Sequence, residues 1–370
     1  MPSQLSSLPA GAKRAVRSLF TSYLLVVLAV SVLGGWAASP YFLTVRNLGN
    51  VLTFAAVVSI IAVGQFFVIV TGGIDLSVGS IAALATVVAA VLMKAGASAV
   101  EASVAALAAS ALAGSISGLL VTKAGITPFI TTLAMMSIAR GLSYMVQFGS
   151  LIGIADERFI WFFSGKTGPA SNPIVLFLLI MLLAAFVMSR TTYGRRLYAI
   201  GGNAEAARLS GLPVERTTFS VYMLSGLLSG LGGLVLAAQL TQGSSLLAMG
   251  YELDTIAAVV VGGASLAGGT GGPIGAVVGG LIIAILGNIM NLLTIPSEPQ
   301  QVVKGVLILI AVVFISGKGG TRSRRQNRKG PAKKAAGAAE AALAEAASAK
   351  VTAGEESSAA RAINIEASIR

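Results

Sequence analysis

The chain has 370 residues, 55% of them hydrophobic and only 11% charged, with mean hydropathy +0.85. Soluble domains carry about 25% charge, so a soluble globular protein is excluded. With no cysteine and no histidine, a disulfide framework, a Cys/His zinc site, a Ser-His-Asp triad and a histidine proton relay are excluded too.

The net charge of +12 comes from basic residues set beside apolar runs, with few aromatics among them. That pattern points to anionic membrane lipids as partners and not to nucleic acid. Residues 1–18 form a basic N-terminal arm with Lys13, Arg14 and Arg17. The run from Phe20 to Ala38 that follows is long enough to span, and reads as a retained anchor rather than a cleaved signal. Apolar runs then predict about ten transmembrane helices, at 19–38, 48–71, 79–95, 99–121, 127–147, 173–189, 217–240, 254–268, 272–294 and 302–316. Basic residues tend to stay on the cytoplasmic side, which tests this count. Six crossings from a cytoplasmic N-terminus return the chain to Arg195, Arg196, Arg208 and Arg216. Four more place Lys318, Arg322, Arg324, Arg325, Arg328 and Lys329 inside as well, while the nearly neutral loop 148–172 falls outside. The expectation is an all-α polytopic membrane protein with both termini cytoplasmic. Residues 254–268 are short and glycine-rich, with Pro273 after them, and are the candidate for a re-entrant or broken span.

Gly73-Ile-Asp75-Leu-Ser-Val-Gly-Ser-Ile-Ala-Ala resembles Gly250-Tyr-Glu-Leu-Asp254-Thr-Ile-Ala-Ala in order and hydropathy. The first falls on the cytoplasmic side and the second outside, so 48–147 and 217–316 read as two inverted repeats. Compositional likeness among Gly-Ala-Val helices is the competing explanation. Residues 317–329 are a basic juxtamembrane run suited to anionic headgroups, and 330–370 an Ala-rich tail lacking the large apolar residues needed to fold.

The segment from Arg190 to Pro213 is the one long polar stretch between apolar spans that carries helix punctuation. Asn203 suits an N-cap, Glu205 the positive end of the helix dipole, and Gly211 with Pro213 a stop. About two turns of helix result, too short to stand alone in water. Flanked by arginines, such an element reads as a docking helix; a plain connecting loop is the alternative.

No nucleotide site is present in the sequence. Gly165-Lys166-Thr167 lacks the upstream glycine of a phosphate loop, because Ile160 stands there, and Gly317-Lys318-Gly319 lacks the hydroxyl residue. Asp75, Lys94, Glu101, Glu252, Asp254 and Lys304 fall at span ends or turns, which argues against a proton-coupled carrier and less firmly against a sodium-coupled one. Gly72, Gly73 and Gly79 allow a sharp turn in which Asp75 and Ser77 either cap the next helix or help gate a pathway.

Four stretches together carry a family resemblance: Thr71-Gly-Gly-Ile-Asp75-Leu-Ser77-Val-Gly79-Ser80, the segment 194–213, Tyr222-Met-Leu-Ser-Gly226-Leu-Leu-Ser-Gly230-Leu-Gly-Gly233, and Val261-Gly-Gly-Ala-Ser-Leu-Ala-Gly268-Gly-Thr-Gly-Gly-Pro273. The chain resembles permeases of ribose-type monosaccharide ABC importers, of the type II kind, from about residue 45 to 316. The resemblance implies a homodimer or close heterodimer of permeases in a bacterial plasma membrane. It implies a cytoplasmic ATPase as a separate subunit that holds ATP-Mg, no cofactor or metal on this chain and no enzyme activity of its own, and an extracytoplasmic sugar-binding protein. It further implies that Arg195, Arg196, Asn203, Glu205, Arg208 and Gly211 form the ATPase-coupling loop. Asp75, Ser77, Asp254 and Thr255 are the candidates for the translocation pathway. Ribose leads a substrate class of pentoses and hexoses. An ion-coupled secondary sugar transporter and a membrane scaffold remain the alternatives.

Overall fold

A computed structural model describes residues 10–147, 150–296, 298–306 and 309. Its long helices are α1 (Ala10–Ala38), α2 (Val45–Val70), α3 (Val78–Lys94), α4 (Ala99–Thr122), α5 (Pro128–Gln147), α7 (Asn172–Arg190), α10 (Val214–Leu240) and α12 (Pro273–Leu292). Between them lie the short helices α6 (Glu157–Ser164), α8 (Thr192–Gly202), α9 (Ala204–Leu209) and α11 (Tyr251–Val261). Helix also covers 298–306, reaching into the last predicted span, and residue 309; the other residues of that span, residues 1–9 and the tail 317–370 lie outside the described residues. The helix of α1 begins inside the predicted N-terminal arm.

Among the described residues, six helices are long and apolar enough to cross a bilayer. At 26 residues, α2 is about 39 Å long against a hydrocarbon core of ~30 Å. It is also the central helix: 89% of its most apolar window is buried, against 17% for α7, which turns its leucines outward. Helix α10 runs antiparallel to it, since Gln239 Nε2 donates to the Thr53 carbonyl at one end and Gly64 lies against Ser225 further along.

The two halves pack reciprocally. Helices α3 and α4 of the first half pack on α10, and α11 and α12 of the second pack on α2. Small residues make these crossings. A Cβ added to Gly233 would collide with the Ala82 carbonyl in α3, and one on Gly280 would lie 2.7 Å from Ser59 Oγ in α2. Without water to expel, helices in lipid gain from close backbone packing, and glycine permits it.

The segment 254–268 is corrected by the structure. Helix starts at Tyr251 and stops at Val261, and 262–272 is a turn with positive φ at Gly263, Gly268, Gly269 and Gly271. Eleven residues make only about 16 Å of helix, half a bilayer. The crossing is completed by the non-helical stretch 241–250, which descends along α3: Ser244 N–H donates to Thr86 Oγ1 at 3.2 Å, and Gly79 lies against Glu252 and the Ala248 carbonyl. The predicted span is thus broken into a short helix and a non-helical stretch.

The predicted loop 148–172 is also partly ordered. It carries α6, a strand β1 (Ile152–Gly153) paired antiparallel with β4 (Gln242–Gly243), and a hairpin of β2 (Lys166–Thr167) with β3 (Ala170–Ser171). Asp156 caps α6 through a bond from Phe159 N–H, Phe159 and Phe163 are buried, and Trp161 faces outward at 54% exposure.

Candidate functional site

The turns divide between two opposite faces. On one lie 71–77, 123–127, the segment 190–213 and the turn 262–272, tied together by Gly269 N–H to Val70 carbonyl (2.8 Å) and by Lys123–Glu215 (2.9 Å). The other carries 95–98, the strands β1 and β4, and α6; Ser98 and Asp156 line one shared, mostly apolar cavity there.

The segment 190–213 forms two helices where the sequence suggests one. Its first part, α8, was hidden by Gly194, Gly201 and Gly202, which disfavour helix by propensity alone. Tertiary packing overrides that cost. Gly194, Leu197 and Ile200, three residues apart, make a buried face, and a Cβ on Gly194 would sit 2.6 Å from Met188 Cα of α7. Thr191 Oγ1 caps the start by accepting from Gly194 N–H, and the Tyr193 hydroxyl lies 2.8 Å from Ser220 Oγ of α10. Burial raises the Tyr198 phenol above its usual pKa, and its hydroxyl donates to the Gly271 carbonyl at 2.8 Å.

The second helix, α9, follows its sequence punctuation closely. Asn203 Oδ1 accepts from Ala206 N–H at 2.9 Å. At the other end Gly211, at φ +78°, closes a Schellman motif: Leu212 N–H reaches the Ala207 carbonyl and Gly211 N–H the Arg208 carbonyl. Glu205 and Arg208 meet at 3.5 Å, but both are more than half exposed, so the pair contributes little stability. Arg195, Asn203, Glu205, Arg208 and Gly211 are exposed and Arg196 is half-buried. Only Ala207 of α9 is buried, against Ile200 and Leu212 of the same segment and Val214 at the start of α10. Leu209 stands out at 82% exposure, a residue that charge-led reading passed over.

Asp75 and Ser77 lie together, fully buried, between α2 and α3. Asp75 Oδ1 accepts from Ser77 N–H (2.9 Å) and Ser77 Oγ (2.6 Å), and Oδ2 accepts from Ser225 Oγ of α10 (2.8 Å). Ser77 therefore does not cap α3 with its side chain, as the sequence suggested; its hydroxyl is turned back to Asp75. Gly73 passes under Tyr222, whose hydroxyl would lie 2.5 Å from an added Cβ.

Asp254 and Thr255 sit in the first turn of α11, both buried. Asp254 Oδ2 pairs with Lys304 Nζ at 2.8 Å, and Thr255 Oγ1 donates to the Glu252 carbonyl. These charges do lie at a helix end, but the end of a broken span is inside the protein. The contact of Gly79 with Glu252 Oε2 brings the first turns of α3 and α11 face to face. Arg140 of α5 was missed by the sequence inventory, although a lone arginine in a predicted span is itself a signal. Its guanidinium donates to the Ser245 and Leu247 carbonyls, while Gln147 Oε1 accepts from Ser245 N–H. Together they hold the descending stretch 241–250 to α5. Among the described residues no group of three or more acidic side chains forms a metal site.

Residues 47–312 match the family model described as branched-chain amino acid transport system / permease component. The ribose import permease protein RbsC of Escherichia coli is 42% identical over 279 residues, covering 74% of this chain and 87% of its own. RbsC of Bacillus subtilis is 41% identical over 301 residues, 80% of this chain and 91% of that one. The L-arabinose ABC transporter permease protein AraH of Azospirillum brasilense is 37% identical over 275 residues, 74% and 81%. The matched region takes in both halves of the reciprocal bundle, the Asp75 turn and the whole of α8 and α9. The chain is a multi-pass membrane permease and belongs to this family of transport-system permease components.

Proposed function

We propose that this chain is the permease subunit of an ATP-driven importer that brings a monosaccharide, with ribose the first candidate among pentoses and hexoses, into the cytoplasm of a bacterium. The observation that carries this reading is the α8–α9 segment: a doubly capped helix held out from one face with its polar residues and Leu209 exposed. ATP-Mg binds to a separate ATPase that docks there, and this face, with the N- and C-termini, is cytoplasmic. The face bearing α6 receives the sugar-binding protein, and a second permease copy completes the pathway. The basic run 317–329 meets anionic lipid headgroups.

The sugar path follows the facing turns of α3 and α11, with Asp75, Ser77, Asp254 and Thr255 near it. Among the described residues, Gln65, the Tyr222 hydroxyl, Glu252 Oε2 and Asp254 Oδ1 are buried without a hydrogen-bond partner. Each such group costs about 1–3 kcal/mol. A pathway that is closed in one state and admits water and sugar hydroxyls in another accounts for keeping them. Binding along the path is weak, and specificity comes largely from the external binding protein.

Leu209, the large apolar side chain exposed on α9, is the anchor of the docking surface, since a few well-buried residues carry most of the energy of an interface. Leu209→Glu will weaken co-purification of the ATPase at least about tenfold, the scale of one lost anchor. Asn203→Pro and Arg208→Glu will also reduce it, the first by removing the cap and the second by reversing the charge. Detergent pull-downs compare the three with wild type. ATPase binding unaffected by all three would remove the docking site from α9.

A further inference from the structure

Helix α9 touches the bundle through one buried side chain: Ala207 packs on Ile200 and Leu212 and on Val214, the first residue of α10. Displacement of α9 reaches the bundle through the start of α10 and through α8. That helix meets α7 at Gly194, α10 at Tyr193, and a third place that differs in kind. At Gly201 a Cβ would collide with the Val70 carbonyl oxygen and lie 2.5 Å from Gly269 N. The Gly269 N–H donates to that same Val70 carbonyl. On Gly268 a Cβ would lie 2.9 Å from both the Gly201 carbonyl oxygen and Gly72 N. The end of α8, the end of α2 and the turn between α11 and α12 thus meet backbone on backbone. Side chains yield by changing rotamer; backbone in contact transmits displacement. One turn earlier, the hydrogen bond from Tyr198 to Gly271 ties α8 to the same turn.

From this place the chain leads both ways into the proposed path. Val70 is five residues before Asp75, whose carboxyl holds Ser225 of α10. The turn 262–272 closes α11, whose first turn carries Asp254. We propose that this three-backbone joint, closed by the Tyr198–Gly271 hydrogen bond, is where motion of the docked segment enters the membrane helices and moves the α2–α3 and α11–α12 turns as one. Tyr198 and Gly201 are positioning residues in this account. The inference rests on the docking reading above and adds the route by which docking is converted to transport.

The test reconstitutes the permease with its ATPase and binding protein in proteoliposomes and measures three quantities: ATPase co-purification, ATP hydrolysis stimulated by sugar-loaded binding protein, and uptake of labelled ribose. Tyr198→Phe keeps the ring and removes the bond; Gly201→Ala wedges the joint open. Both keep the ATPase bound. Tyr198→Phe raises the ATP consumed per sugar about fivefold, the scale of one lost hydrogen bond, and Gly201→Ala raises it further. Tyr193→Phe, which loses only the bond to Ser220, leaves the ratio as in wild type. Uptake and hydrolysis falling in parallel, at a constant ratio, would reduce the joint to ordinary packing and overturn the inference. So would an equal uncoupling by Tyr193→Phe. Should Gly201→Ala fail to fold, Tyr198→Phe decides alone. A wild-type permease that binds no ATPase defeats the docking reading itself, a result distinct from bound but normally coupled variants.

Discussion

Asp75→Leu will abolish sugar uptake, and Asp75→Asn will retain a measurable fraction of it. The carboxyl is fully buried and accepts three hydrogen bonds, two from Ser77 and one from Ser225, 150 residues away in sequence. Leucine is close in size but leaves the Ser77 N–H and two hydroxyls without partners where water does not reach. At about 1–3 kcal/mol for each orphaned group, the loss is on the order of 4 kcal/mol. The α2–α3 turn then separates from α10. Asparagine keeps an oxygen for Ser77 and offers an N–H₂ to Ser225 Oγ, which accepts as readily as it donates. Uptake and thermal unfolding in detergent, measured together, check the prediction. Leucine and asparagine variants of equal activity would show that the side chain only fills space.

The largest structural effect is expected at the crossing of α4 and α10. Ser110, Gly114 and Gly118 face Tyr222, Gly226 and Gly230, each set spaced by four residues. A Cβ on Gly114 would collide with the Tyr222 carbonyl; one on Gly226 would collide with the Ser110 carbonyl and lie 3.0 Å from Gly114 Cα. The obstacles are backbone atoms of two rigid helices, so no rotamer change relieves them. Overpacking by a single methylene costs about 1–3 kcal/mol, and valine brings three carbons. Gly226→Val will give little monodisperse protein on size-exclusion chromatography and a markedly lowered melting temperature. Gly202→Val is the control, because nothing lies within 4 Å of its Cβ position. Equal behaviour of the two variants would mean that the crossing is looser than it stands here.

These two sites differ in how readable they were. Asp75 is a lone acid among apolar residues with glycines on either side, and that isolation marks it in the sequence. Its partner Ser225 has no such mark, because a serine in a Gly-Leu-Ser helix is indistinguishable from its neighbours until the fold brings it within 2.8 Å. Helix α9 was legible because capping is local chemistry: Asn203 and Gly211 act where they stand. Helix α8 was not, since its glycines look like breakers until Met188 and Val70 are seen to occupy the space of their missing side chains. The same reasoning explains α11. Hydropathy ran on through Gly262, Gly263 and Ala264, but positive φ at Gly263 ends the helix, and the descent 241–250 is too polar to register as part of a span. That descent is held by Arg140 and Gln147, whose roles depend on backbone groups a hundred residues away, carbonyls for the first and the Ser245 N–H for the second. The polytopic all-α class was legible because chain-wide hydropathy does not depend on such partners.

The central claim is that transport by this chain is driven by ATP hydrolysed on another. The most direct measurement is uptake of labelled ribose into proteoliposomes, with the permease alone under an imposed proton or sodium gradient, and with its ATPase, binding protein and ATP. The account predicts accumulation only in the complete assembly, dependent on ATP and insensitive to either gradient. Accumulation by the permease alone, driven by an ion gradient and unchanged by ATP, would contradict it.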